Sequence, residues 1–170
     1  MIPGQPDSPD KIFDSLWRSA ADQGLTIEPP SVWVNTVVKE LTPGLGRTVL
    51  EVGSGSGKIS LELSRAGALT VLLDKSVAAV TSSAQLYSEN GQIALHTIGD
   101  LFELPYSDGT FDAVWSSGVL EHFERDGTEA GIREMCRVCK KGGTVLVMVP
   151  SAKAIIYRLG KWLHESKCQR

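Results

Sequence analysis

The chain has 170 residues, of which 42% are hydrophobic and 22% are charged, and its formal net charge is −3. This length and composition fit one folded domain with a substantial core. No basic excess is present to neutralise phosphates, which argues against nucleic acid as a partner, and no apolar run is long enough to cross a bilayer. Its three cysteines are an odd number. We expect them to be reduced, and since no signal-peptide pattern opens the chain, the prediction is a cytoplasmic protein.

The first 47 residues are predicted to form an arm followed by helices. Three prolines and one glycine in residues 1–9 predict a loose arm. Apolar residues at helical spacing predict one helix that ends at Gly24 and a second over residues 31–41. We therefore assign residues 10–47 to helices that precede the first strand.

Residues 48–60 read T-V-L-E-V-G-S-G-S-G-K-I-S and predict a strand, a tight turn and the start of a helix. The strand stops at three glycines on alternate positions, Gly53, Gly55 and Gly57. Alternate glycines let a ligand approach the backbone closely, and the helix that follows offers unpaired N–H groups. Such a turn is typical of sites for nucleotide-like or carboxylate-bearing ligands.

The glycine spacing distinguishes between families that share this design. A Walker A loop requires glycine where the chain has Val52 and Ser or Thr where it has Ile59. The dinucleotide fingerprint G-x-G-x-x-G requires glycine where the chain has Lys58 or Ser60. What remains is acidic-x-G-x-G-x-G with Glu51 as the acid, which resembles the first motif of the class I S-adenosylmethionine-dependent methyltransferases. The alternative is a turn that only joins a strand to a helix.

The resemblance extends over about residues 49–150 and implies a Rossmann-like α/β fold with a mostly parallel sheet. Five strands are visible, near residues 48–52, 69–73, 93–98, 111–115 and 144–149, and the family order is 3-2-1-4-5 with helices on both faces. The complete family fold has seven strands. Residues 48–170 are therefore expected to be a cofactor-binding methyltransferase domain without the last two strands, either a fragment or a natural short form. An exposed sheet edge of this kind predicts self-association.

The resemblance also gives the flanking helices two alternatives each. In the family, helices before the first strand often cover the mouth of the site, so residues 10–47 either form a lid or only pack on the sheet. The tail contains a basic amphipathic stretch at residues 152–163, which either contacts an anionic membrane surface or packs on the sheet.

For adenosine, the resemblance assigns residues at the ends of the second and third strands. Asp74 is placed to accept hydrogen bonds from both ribose hydroxyls, although it has the alternative role of capping the next helix. The flank of Lys75 is expected to lie along the adenine. Asp100 is expected to accept from the adenine amino group, while the backbone N–H of Leu101 meets a ring nitrogen.

For the methionine part of the cofactor, the resemblance assigns residues on the first and fourth strands. Backbone carbonyls near Trp115 and Ser116 are expected to accept from the amino group, and Glu51 to supply negative charge directly or through water. His122 is the candidate general base or substrate-orienting group. Its alternative is a structural histidine fixed by local hydrogen bonds.

Residues 104–123, L-P-Y-S-D-G-T-F-D-A-V-W-S-S-G-V-L-E-H-F, resemble the small-molecule branch of the family. Enzymes that methylate amino groups in DNA carry N-P-P-Y or D-P-P-Y after this strand, where the chain has S-S-G-V. The implied function is in-line transfer of a methyl group from S-adenosylmethionine to a small molecule, with S-adenosylhomocysteine as product. The rival hypotheses are a non-catalytic cofactor- or partner-binding domain and a nicotinamide-dependent oxidoreductase.

A helix is predicted over about residues 129–140. Ile132, Met135, Cys136 and Cys139 are spaced at i, i+3, i+4 and i+7 and predict a core stripe. The two cysteines also form a C-x-x-C, but no second pair or nearby histidine completes a tetrahedral ligand set. We therefore expect no metal site.

Overall fold

The computed structural model describes residues 31–42 and 45–149. Its five strands form one sheet in the order β3-β2-β1-β4-β5, and every neighbouring pair is parallel. The strands are β1 (Thr48–Val52), β2 (Leu69–Asp74), β3 (Ala94–Ile98), β4 (Phe111–Ser117) and β5 (Cys139–Met148). The expected strand order is confirmed, and β3 and β5 form the two edges of this sheet.

Helices precede the sheet and connect its strands. They are α1 (Ser31–Leu41), α2 (Lys58–Arg65), α3 (Val77–Glu89) and α4 (Arg125–Val138), with a short 3-10 helix at Leu120–His122. None of the helices in the described ranges is long and apolar enough to cross a membrane. The predicted first helix and the amphipathic stretch at 152–163 lie outside the described residues.

The core lies on both faces of the sheet, because alternate residues of a strand point to opposite sides. Leu50 of β1 packs in one cluster with Met135 of α4. Its neighbour Val49 packs in another cluster with Leu41 of α1 and Leu63 of α2. Helices therefore cover both faces, as predicted, and the sheet is a doubly wound α/β layer.

The second predicted N-terminal helix is present as α1 and packs on the sheet. Val37 and Leu41 are fully buried in the cluster that contains Trp115, whereas Trp33 is 43% exposed. Packing of this helix on the sheet is thus observed, and its role as a lid stays a prediction.

The predicted core stripe of α4 is wrong for Ile132 and Cys136, whereas Met135 is buried as predicted. The helix begins earlier than expected, at Arg125. It also ends earlier, because Cys139 already belongs to β5. Met135 and Val138 are buried, whereas Cys136 is exposed and Ile132 is 37% exposed. The buried face of α4 therefore excludes Cys136, while Cys139 packs against the same core cluster from β5.

An ion-pair network joins the amino ends of three strands. The Asp112 carboxylate of β4 accepts hydrogen bonds from the Thr48 N–H at 2.9 Å and the Thr48 hydroxyl at 2.8 Å. It also accepts from the Lys140 ammonium of β5 at 2.8 Å, and the Arg47 guanidinium donates to the Asp112 carbonyl at 2.7 Å. This network anchors the amino ends of β1, β4 and β5 to one another, whereas the glycine turn follows the carboxyl end of β1.

Candidate cofactor-binding site

The glycine turn between β1 and α2 is fixed to the carboxyl end of β2. Gly53, Gly55 and Gly57 have φ values of +71°, +51° and +71°, in the left-handed region that favours glycine. The N–H groups of Gly53 and Ser54 donate to the Leu73 carbonyl at 2.8 and 3.0 Å. The turn therefore lies across the carboxyl ends of β1 and β2, where parallel α/β sheets bind ligands.

Two of these glycines are closely packed against side chains of other elements. A Cβ atom at Gly57 would lie 2.5 Å from Leu72 Cδ2 and 3.1 Å from Ser83 Cβ, and one at Gly53 would overlap the Val119 side chain. Packing therefore favours glycine at these two positions, whether or not a ligand binds.

Asp74 contacts the glycine turn directly. Its Oδ2 accepts from the Gly55 N–H at 2.8 Å, and its Oδ1 accepts from the Ser76 N–H at 2.9 Å. Burial raises the pKa of this carboxyl, and the hydrogen bonds from Ser76 and Gly55 oppose the shift. Ser76 is the residue that caps α3, accepting from the Ala79 N–H at 3.3 Å, so the capping alternative for Asp74 is wrong. A carboxylate has about four acceptor positions, which leaves Asp74 capacity for hydroxyl donors.

Glu51 is buried in β1, with 5% of its surface exposed, beside Trp115 in the neighbouring strand β4. Burial raises the pKa of Glu51 to about 8; the Ser60 hydroxyl partly offsets this shift, and the charge of Asp74 adds to it. Its Oε2 has no hydrogen-bond partner among the described residues. Such an acid is costly to bury unless something else occupies the site beside it.

Other buried polar atoms, in the glycine turn and in β4, are also unsatisfied. Within the described residues, the Ser54 hydroxyl of the turn and the Trp115 Nε1 of β4 lack hydrogen-bond partners. Buried polar groups in folded proteins nearly always pair with protein, water or ligand. The polar groups around Glu51 thus fit a polar ligand that brings donors or positive charge to the carboxyl.

The ends of β2 and β3 bring Lys75 and Asp100 together. The Gly99 N–H donates to the Asp74 carbonyl at 3.1 Å, and the Lys75 ammonium then meets Asp100 Oδ2 at 3.0 Å. Asp100 Oδ1 accepts from the Phe102 N–H at 3.0 Å. Burial tends to raise the pKa of Asp100, but the hydrogen bonds from Phe102 and Lys75 outweigh it and lower the pKa. Asp100 is thus an ionised acceptor at neutral pH.

The remaining predicted site residues lie after β3, at the carboxyl end of β4 and in the 3-10 helix that follows β4. Ser116 is buried and its hydroxyl donates to the Val52 carbonyl at 2.8 Å, while the Leu101 side chain is buried in the core. His122 ends the 3-10 helix that follows β4, and its side chain is exposed. The structure therefore leaves His122 outside the buried cluster around Glu51.

Two residues near the turn were not singled out from the sequence. Val119 packs against Gly53 from a distant segment, and no local pattern indicates such a contact. Ser54 lies inside the glycine motif, so the motif itself was the available signal for its buried hydroxyl.

Comparisons with known proteins agree with this geometry. Residues 50–147 match a family model described as a methyltransferase domain. A demethylmenaquinone methyltransferase of Corynebacterium kroppenstedtii is 32% identical over 139 residues, which cover 81% of this chain and 57% of that protein. The corresponding enzyme of Mycolicibacterium paratuberculosis is 31% identical over 138 residues, which cover 80% of this chain and 56% of that protein. The chain thus spans somewhat more than half the length of these relatives.

Among solved structures, the [4+2]-cyclase SpnF superposes with a TM-score of 0.64 at 28% identity, covering 72% of this chain and 47% of SpnF. The region matched by the family model contains the glycine turn, the acid that ends β2, the acid that follows β3, and the end of β4. The chain therefore belongs to the class I S-adenosylmethionine-dependent methyltransferases, whose cofactor is S-adenosylmethionine.

Proposed function

We propose that the protein transfers a methyl group from S-adenosylmethionine to a small-molecule acceptor. The observation that carries the proposal is the pair of acids at one glycine turn. The Asp74 carboxylate is hydrogen-bonded to the Gly55 N–H at 2.8 Å, and Glu51 lies buried beside the turn with an unpartnered Oε2. Because the chain covers only 57% of the length of the relative from Corynebacterium kroppenstedtii, the activity is proposed for the whole protein.

In this proposal, each end of the cofactor meets residues of different strands. Asp74 accepts from the ribose hydroxyls, and Lys75 lies along the adenine, whose edge pairs with Asp100 and the N–H of Leu101. The methionine part faces residues of β1, β4 and the glycine turn. These are Glu51, Trp115, Ser116 and the three glycines. The ion pair between Lys75 and Asp100 supports the adenine assignment, because it keeps Asp100 able to accept from an amino group.

The chemistry asks little of the protein's own side chains. When bound, the sulfonium of S-adenosylmethionine supplies an activated methyl group. The residues around it have to bind, orient and exclude water, and orientation contributes roughly 7 to 11 kcal/mol in well-aligned reactions. General-base assistance of 100- to 10,000-fold corresponds to only about 3 to 5 kcal/mol. In this proposal His122 orients the acceptor or takes its proton, and its contribution is smaller than that of orientation.

The acceptor is proposed as a small molecule, and the relatives name the first one to test. Both relatives described above carry the name demethylmenaquinone methyltransferase. The sequence S-S-G-V after β4 supports a small acceptor over a DNA base. A cytoplasmic location is proposed as well, on the ground of cysteines that are expected to be reduced.

Calorimetric titration tests the cofactor half of the proposal. We expect S-adenosylmethionine and S-adenosylhomocysteine to bind, and NADH, the ligand of the rival oxidoreductase, to give no heat. Binding of NADH alone would reverse the assignment. An Asp126→Asn variant, altered at an exposed acid on α4, serves as the control and should bind like the wild type.

Transfer of a labelled methyl group tests the catalytic half. We expect label from S-adenosylmethionine to appear in reduced demethylmenaquinone or in another member of a panel of small acceptors. SpnF is described as a cyclase, so this fold also occurs in a protein named for a different reaction. Tight cofactor binding without transfer to any acceptor by the full-length protein would favour the non-catalytic alternative.

A further inference from the structure

Glu51 is more deeply buried than the other Asp, Glu, Lys and Arg side chains that the structure describes. Among the residues that the structure describes, it is the one Asp, Glu, Lys or Arg that is buried. It lies at the carboxyl end of the central strand β1, two residues before the first glycine of the turn. Its Oε2 is buried and has no hydrogen-bond partner among the described residues.

Among the described residues, no positively charged side chain contributes to the pKa shift of Glu51. Within residues 31–42 and 45–149, the titratable groups that interact with it are Asp74 at the end of β2 and Tyr87 of α3. Burial chiefly raises the pKa of Tyr87, and the charge of Glu51 adds to that shift. The remaining neighbours, Ser60 of α2 and Trp115 of β4, are neutral. An ionised Glu51 would therefore face another acid in a buried site, which disfavours the charge.

A cationic ligand reverses this balance. A positive group that arrives beside Oε2 pairs with a carboxylate, and the pair is strong because water is excluded. The neutral acid offers such a group a much weaker contact. Binding of a cation and loss of the proton from Glu51 are therefore thermodynamically linked.

We propose that Glu51 is neutral before the ligand binds and gives up its proton when the positively charged amino or sulfonium group of the ligand arrives, so that binding releases a proton from the site. The proton passes from the Glu51 carboxyl to the solvent, and no covalent bond is made or broken to carbon or sulfur. The inference rests on the proposed function, because it takes S-adenosylmethionine and its product as the ligands.

The size of the effect follows from the raised pKa of about 8 for Glu51. At pH 7 an acid with this pKa is mostly protonated, so full ionisation on binding releases about 0.9 proton per site. The affinity for a cationic ligand should then rise by about tenfold between pH 6 and pH 7.

Calorimetry of the wild-type protein in two buffers measures the released proton. At pH 7 the heat of binding should differ between phosphate and Tris by about 0.9 times the difference of their ionisation enthalpies. S-adenosylhomocysteine is the probe, because it carries the amino group without undergoing methyl transfer. The matched probe is 5′-methylthioadenosine, which keeps the adenosine and the sulfur atom but lacks the charged amino-acid part, and its heat should be the same in both buffers.

Two variants complete the test. Glu51→Gln keeps the shape of the side chain but cannot titrate, so it should bind S-adenosylhomocysteine with equal heat in both buffers and with an affinity that does not change between pH 6 and pH 7. Glu89→Gln alters an exposed acid at the end of α3 and should release the proton like the wild type. Release that persists in a folded Glu51→Gln variant overturns the inference.

The outcomes separate this inference from the proposed function. No heat with either probe in either buffer contradicts the proposed function and this inference with it. Binding of S-adenosylhomocysteine with the same heat in both buffers overturns this inference alone. Should the Glu51→Gln variant fail to fold, the comparison of the two probes on the wild-type protein still decides the question.

Discussion

Gly57 permits a test of how closely the turn is packed against its neighbours. Its added Cβ would lie 2.5 Å from Leu72 Cδ2, whereas a Cβ at Gly91 meets nothing within 4 Å. Both glycines have positive φ values, +71° and +63°, so alanine at either site bears a similar backbone strain of about 1 to 2 kcal/mol. We expect Gly57→Ala to lower the free energy of unfolding in urea by about 1 to 3 kcal/mol more than Gly91→Ala. Equal losses would show that the turn has room for a methyl group.

Asp74 links the turn to the proposed ribose contacts. Replacement by alanine removes the acceptor for the Gly55 N–H together with the acceptor for the ribose hydroxyls. We expect Asp74→Ala to weaken binding of S-adenosylhomocysteine by about 1 to 3 kcal/mol in calorimetry. Asp126→Ala, at an exposed acid of α4, is the matched control. An unchanged dissociation constant for the Asp74 variant would remove this residue from the site.

The sequence indicates the positions of the acids but not their surroundings. Asp74 follows a recognisable strand about twenty residues after the glycines, and that spacing predicted its place beside the turn. The burial of Glu51 depends on side chains from β4, α2 and α3, which no local pattern relates to one another. The ion pair of Lys75 with Asp100 likewise depends on how the ends of two strands align.

The element α4 anchors the loop before β4 through one arginine. The Arg137 guanidinium donates to the carbonyls of Tyr106 and Leu104 at 2.8 and 3.0 Å and to Asp108 Oδ1 at 2.9 Å. Glu134 accepts from Arg137 and also from the Leu104 N–H at 3.0 Å. The pair thus fixes both the helix and the loop that follows the proposed adenine site.

We expect Arg137→Met to loosen this loop. Hydrogen exchange of the Leu104 amide should become faster by about tenfold, because Glu134 loses the partner that orients it. Arg125→Met, which removes an exposed pair with Glu129, should leave this amide unchanged. Equal protection of the Leu104 amide in both variants would contradict the proposed anchoring role.

The misassigned face of α4 shows where periodicity fails. Apolar spacing correctly predicted a helix, but Cys136 and Cys139 were assigned to the buried side, which also contains Met135. A helical period assumes that the helix continues, whereas Cys139 already pairs with Phe111 in the sheet. Only the pairing with β4 decides where the helix ends.

For the whole molecule, two acids, Glu51 and Asp112, make the free energy of unfolding depend on pH in opposite directions. The folded pKa of Glu51, about 8, lies above its ordinary value of 4.5, so the folded state holds a proton that the unfolded chain has lost. Its contribution therefore falls as pH rises from about 4.5 to 8, by up to about 1.4 kcal/mol per pH unit. The Lys140 ammonium and the Thr48 groups hold the pKa of Asp112 well below its usual range, so its contribution is lost as pH falls below about 4.

We expect the free energy of unfolding of the unliganded protein to be greatest near pH 5, between these two ranges. Urea denaturation across pH 3 to 8 measures it. The decline above pH 5 should be shallower in Glu51→Gln, because this variant has no proton to lose at that site. A decline of the same steepness in the variant would assign the dependence to other groups.

The arrangement of the whole sheet was the most predictable feature. The strand order follows from family resemblance, and each strand was visible as an apolar run bounded by turn residues. The contacts that join segments far apart in the chain, such as Val119 against Gly53, were not visible, because they arise only when the sheet has formed.

The network around Asp112 has a consequence for how this domain can change over evolutionary time. It anchors the amino ends of β1, β4 and β5, while the acids proposed to bind the cofactor lie at or just after the carboxyl ends of β1, β2 and β3. Substitutions that alter the loops at the carboxyl ends leave these anchoring bonds in place. New acceptor specificities can therefore arise at one end of the sheet while the other end preserves the capacity to fold.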